Sequence, residues 1–90
     1  MNKTQFKKDL KAIEKTIIST EKLIRAHSKV VSFDYTDKLT SPYMDALILQ
    51  FCTCYKLDYY ITSDVIINEC LCLKKLSKQD IEDVWNTRES

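Results

Sequence analysis

Phe6, Leu10, Ile13, Ile17 and Ile24 recur at steps of 4, 3, 4 and 7, with Ile18 and Leu23 widening the stripe and Thr20 at the skipped position. That spacing predicts an amphipathic helix over about residues 5–26, roughly 33 Å long at 1.5 Å per residue. Lys, Asp and Glu are expected on its opposite face. Periodicity alone allows the stripe to pack either on its own chain or on a partner.

Residues 28–41 break the pattern. Val31, Phe33 and Tyr35 alternate with polar residues, which is strand periodicity, but no second strand is evident to pair with them. The segment is therefore expected to be a long loop laid across the helices, its apolar residues docked on the core. Connections of this length are often functional, which makes Phe33, Tyr35 and the following Tyr43 candidate contact residues.

Ser41-Pro42 reads as an N-cap followed by proline at the first helical position, where the missing N–H costs nothing. A second, central helix is expected over about 42–60, with apolar residues from Leu47 to Ile61 around much of its circumference. Ile, Phe, Thr and Tyr also favour strands, so a β-containing alternative stays open here. Thr62-Ser63-Asp64 supplies a cap for a helix over about 63–76, or for a kinked continuation of the second. Ser77-Lys78-Gln79-Asp80 has the form of a capping box, with Leu76 and Ile81 at staple spacing, and predicts a helix over about 78–87. Tyr59 and Tyr60 cannot both face one core, and the tail from Asn86 is expected to fray. The pattern as a whole predicts one all-α domain over 1–90, a small antiparallel bundle of three or four helices with a long loop between the first two.

Composition narrows the chemistry. The 90 residues contain no glycine and one proline. Without glycine there is no phosphate-cradling loop, dinucleotide-binding turn, nucleophile elbow or calcium loop. Cofactor-dependent catalysis is thereby disfavoured, and no cofactor is expected. No apolar run approaches the roughly 20 residues needed to span a bilayer, and the start of the chain lacks an apolar signal core. The expected setting is cytoplasmic, away from membranes.

Charge is unevenly spread. Residues 1–29 carry eight Lys or Arg against three acids, whereas residues 30–90 carry six against ten. Lys8, Lys11, Lys15, Lys22 and Arg25 form a candidate basic face on the first helix, suited to an acidic partner. The four cysteines form two Cys-x-Cys pairs, Cys52/Cys54 and Cys70/Cys72. Helical residues two apart point about 200° apart, so neither pair converges on one ion. Buried small hydrophobes are the better reading, and no metal site is expected. His27 falls at the end of the first helix, where the dipole favours it, with no partner in sequence for base catalysis. Asp34, Asp37 and Asp45 fit turn and helix-start roles.

The stretch Met44-Asp45-Ala46-Leu47-Ile48-Leu49-Gln50-Phe51 through Tyr55-Lys56-Leu57 resembles the central helix of the HEPN-like nucleotidyltransferase substrate-binding subunits. Residues 62–88, with Trp85 and Arg88, can be laid over that family's following helix. The family's central glutamates fall on Cys52 and Lys56, and its Arg-to-His ribonuclease signature is not completed after Arg88. The resemblance therefore implies a non-catalytic partner subunit.

The functional expectation is a non-enzymatic module that binds and regulates or inhibits a larger protein. The lysine- and isoleucine-rich, glycine-free character is compatible with an anti-defence or immunity protein of a phage or mobile element. A nucleic-acid-binding regulator using the same basic face is the alternative, and homo-oligomerisation is compatible with either.

Overall fold

A computed structural model describes residues 2–28 and 42–88. The expected loop over 28–41, with Phe33 and Tyr35, lies outside the described residues apart from Ser28, which closes the first helix. Four helices are present: α1 (Lys3–Ser28), α2 (Pro42–Tyr55), α3 (Tyr59–Cys70) and α4 (Lys78–Trp85). Among the described residues there is no strand, and no helix is long and apolar enough to cross a membrane. The β-containing alternative falls, and the all-α bundle stands.

α1 begins earlier than its apolar stripe because Asn2 caps it. The Asn2 Oδ1 accepts from the Thr4 N–H at 2.9 Å. The α4 capping box forms in both directions: Ser77 Oγ accepts from the Asp80 N–H at 3.0 Å, and Asp80 Oδ2 accepts from the Ser77 N–H at 2.9 Å.

The two middle helices differ from the sequence expectation. α2 stops at Tyr55 rather than near residue 60, and α3 starts at Tyr59 rather than after Thr62. Lys56 takes a positive φ of 56°, and the Leu57 N–H bonds back to the Cys52 carbonyl at 2.9 Å. This reversal is the Schellman ending that usually places glycine at the left-handed position, with Leu57 buried as its apolar contact. Asp58, not Thr62 or Ser63, is the cap of α3, its Oδ1 accepting from the Ile61 N–H at 2.9 Å. Thr62 and Ser63 are instead buried inside α3. α3 then ends at Cys70 rather than 76, because Leu73 reverses the chain at φ 60° and the Lys74 N–H bonds to the Glu69 carbonyl at 2.9 Å.

A left-handed non-glycine residue costs about 1–2 kcal/mol. Lys56→Gly is therefore expected to stabilise the protein by about 1 kcal/mol, after the extra unfolded-state entropy of glycine is set against that relief. Thermal unfolding followed by circular dichroism should show a midpoint raised by roughly 4–8 °C. A lowered midpoint would mean that the Lys56 side chain holds the turn by some other contact.

The helices alternate in direction. Phe6, near the start of α1, meets Phe51 and Tyr55 at the end of α2 and Trp85 at the end of α4, with ring centroids 5.5, 5.4 and 4.8 Å away. The end of α3 lies beside the later turns of α1, where the Arg25 guanidinium donates to the Leu71 carbonyl. α1 and α3 thus run one way, α2 and α4 the other. The core joins Phe6, Leu10 and Ile17 to Met44, Ile48, Phe51, Ile66, Leu76, Ile81 and Val84. Tyr59 packs against this core while Tyr60 stays 79% exposed.

The tail does not fray at Asn86. Thr87 Oγ1 accepts from the Asp58 N–H at 3.2 Å and donates to the Val84 carbonyl at 2.7 Å. The Arg88 guanidinium lies 3.7 Å from the centroid of the Trp85 ring, within cation–π range.

Candidate interaction surface

On α1, the stripe does not sort all charged residues to the outside. Phe6, Leu10 and Ile17 are fully buried, but Glu14 and Glu21 are only 9% and 7% exposed. Both had been expected on the solvent face. They lie in the same ridge as Leu10 and Ile17, and each has a polar reason to be inside. Glu14 Oε2 accepts from the Leu76 N–H at 2.7 Å, satisfying a backbone donor in the segment between α3 and α4. Glu21 Oε1 accepts from Arg25 Nε at 3.1 Å, and the same guanidinium reaches the Leu71 carbonyl. The segment Leu71–Leu76 is thereby strapped along α1.

This strap removes Arg25 from the candidate contact residues as an independent charge, since it ties α1 to the end of α3. Lys8, Lys11, Lys15 and Lys22 are all exposed. At 100° per residue they occupy a sector of about 60° on the side of α1 turned away from the core. None of the four forms an ion pair among the described residues, where the ion pairs are Lys3 with Glu82 at 2.6 Å and Arg25 with Glu21. Lys3 holds the Glu82 carboxyl below its usual range by hydrogen bonding to it. Tyr43 is 60% exposed on the first turn of α2, and the uncharged residues Ala46, Leu49, Gln50 and Thr53 continue that face. The structure therefore brings together four of the expected contact residues, places Tyr43 on a different helix, and leaves Phe33 and Tyr35 outside the described residues.

The expectation of small buried hydrophobes holds for only two of the four cysteines: Cys52 and Cys54 lie on opposite sides of α2, and Cys72 falls in the turn after α3 ends at Cys70. Cys52 and Cys70 are buried, whereas Cys54 and Cys72 are exposed, so the members of each pair face apart. Burial pushes the Cys70 thiol up to about 12, with Glu14, Glu69 and Asp80 adding to the effect. Burial also raises Cys52, against a lowering contact from the Thr62 hydroxyl and a further rise from Asp58. The Thr62 hydroxyl is buried at this α2–α3 contact without a conventional hydrogen-bond partner. Among the described residues no group of three or more His, Cys, Asp or Glu side chains is placed to hold a metal ion. The backbone of His27 belongs to the last turns of α1, and its side chain lies outside the described residues.

At the opposite end of the bundle, Tyr55 donates its hydroxyl to Asp9 Oδ2 at 2.5 Å. Partial burial, then this hydrogen bond and the Asp9 charge, push the Tyr55 phenol up to about 12. It is a structural tie between α1 and α2, adjacent to the Phe6 cluster.

Sequence reasoning missed the burial of Glu14 and Glu21. A signal exists: Leu10, Glu14, Ile17 and Glu21 follow one another at steps of 4, 3 and 4. Charge alone had assigned both glutamates outward. Comparison of the chain with models of protein families, with curated proteins and with solved structures finds no match.

Proposed function

We propose that this protein is a small binding module that regulates a larger protein by engaging an acidic region of that protein's surface through α1. The observation that supports this reading is the row of exposed lysines, Lys8, Lys11, Lys15 and Lys22, without carboxylate partners among the described residues. An unneutralised row of like charges is self-repelling, and an acidic partner relieves that repulsion while steering encounter. Inhibition by occlusion is the regulatory mode proposed, because the lysine face of a 26-residue helix covers a surface and brings no catalytic group to it.

The test is the triple variant Lys8→Glu, Lys11→Glu, Lys15→Glu. Lys and Glu have similar helix propensities, and these positions bury nothing, so the domain stays folded. A tagged parent chain is expected to retain one stoichiometric protein from nuclease-treated host lysate, identified by mass spectrometry. The triple variant should bind that purified protein at least tenfold more weakly, about 1.4 kcal/mol. Equal affinity would remove α1 from the reading. An empty eluate beside an untreated control rich in nucleic acid would replace it with a nucleic-acid binder.

A further inference from the structure

The connection between α3 and α4 completes a surface that α1 only begins. Glu14 holds the Leu76 N–H at 2.7 Å, and Arg25 holds the Leu71 carbonyl. The strap therefore runs beside α1 from residue 25 back to residue 14, a length of about 16 Å at 1.5 Å per residue. By helical position, Glu14, Glu21 and Arg25 mark one flank of α1, and Lys11, Lys15 and Lys22 occupy the adjoining flank. The strap itself carries Lys74 and Lys75, both exposed.

The acids that composition would set against these lysines are not available to them. Glu14 and Glu21 are buried and occupied by the Leu76 N–H and by Arg25. None of the five lysines has an ion-pair partner among the described residues. Two elements far apart in sequence, tied together at Arg25 and Glu14, thus each carry exposed lysines, while the nearby Glu14 and Glu21 carboxylates are already used.

We propose that these lysines, Lys11, Lys15 and Lys22 of α1 with Lys74 and Lys75 of the strap, form one rail that docks an acidic α-helix of the regulated protein. The inference rests on the function proposed above and specifies its partner. Lys11, Lys15, Ile18 and Lys22 follow one another at steps of 4, 3 and 4, a stripe along one side of α1 of the kind that runs alongside a second helix. Ile18, half-buried in that stripe, supplies an apolar contact between the charges. The strap forms a second wall, so carboxylates at three- and four-residue spacing meet lysines on both sides. Charge alone suits a duplex as well as an acidic helix, and it is the make-up of the rail that favours the helix. The rail carries no aromatic side chain for stacking on bases, and its lysines lack the planar fork with which arginine reads guanine.

The experiment is fluorescence anisotropy with the full chain and three labelled probes. One is a helical peptide of about 18 residues with glutamates along one face. The second has the same composition with glutamates spread around the helix, and the third is a duplex DNA of about 18 base pairs. At low salt (about 50 mM), the one-faced peptide is expected to bind at least fivefold tighter than the spread peptide, and to weaken steeply as salt rises. Lys74→Glu with Lys75→Glu should weaken binding at least tenfold. Lys56→Glu, at the other end of the bundle, should leave it unchanged, and circular dichroism confirms that each variant is folded. If the Lys74/Lys75 variant binds as the parent does while Lys11→Glu with Lys15→Glu does not, the two-sided rail is wrong and the α1 reading survives. Equal affinity for the two peptides, or no binding of either, overturns the helical partner. Tighter binding of the duplex than of either peptide overturns both this inference and the protein-binding function.

Discussion

Phe6→Ala is expected to remove about 3–5 kcal/mol of stability, the range for truncating a buried aromatic side chain. Phe6 is fully buried, and its ring contacts Phe51, Tyr55 and Trp85 from two other helices. Alanine is the better helix former, so local propensity works against the loss by only a few tenths of a kcal/mol. Small domains hold about 5–15 kcal/mol in total, and a chain of this length belongs toward the lower end. Urea titration followed by circular dichroism should show the variant partly unfolded before much denaturant is added. Leu23→Ala is the control on the same helix. That side chain is 64% exposed, and its loss is expected to change stability by less than about 0.5 kcal/mol. Similar costs for the two variants would mean that the aromatic cluster does not organise the core.

The second large effect belongs to Glu14. Glu14→Ala leaves the Leu76 N–H buried without an acceptor, which costs about 1–3 kcal/mol beyond the lost packing. Glu14→Gln keeps an acceptor oxygen at the same reach and is expected to recover most of the loss. Urea midpoints measure both, and amide exchange at Leu76 adds a local readout: fast in the alanine variant, protected in the parent and the glutamine variant. If glutamine is as damaging as alanine, the carboxylate charge matters more than the hydrogen bond. The strap would then be held electrostatically.

Much of the bundle was legible because its signals are local. The apolar stripe of α1, proline at the start of α2 and the Ser77–Asp80 box each declare a helix within a few residues. The boundary between α2 and α3 was not legible for the same reason. Helix ends are usually read from glycine, and here Lys56 and Leu73 take the left-handed positions that glycine would mark. Thr62 and Ser63 looked like a cap by residue type. They are buried instead, Thr62 against Cys52 of α2, and Asp58 does the capping. The lysine face was legible because residues off an apolar stripe must face outward. Arg25 was not, since one of its partners lies in the strap 46 residues later. The same long reach decides Glu14: no local pattern says that the donor at residue 76 needs a carboxylate from α1.

Phe6 and Trp85 stand 79 positions apart in the chain and 4.8 Å apart in space. During synthesis, α1 leaves the ribosome long before its aromatic partner is made. Phe51 and Tyr55 of α2 can pack on Phe6 first, but until residue 85 emerges the cluster lacks its third partner, and the side of Phe6 that Trp85 covers stays open to any apolar surface nearby. Closing such a distant contact late slows folding and prolongs that exposure. Chaperone demand in the cell should therefore fall on the nascent first helix, and a pause in translation just before codon 85 would lengthen it.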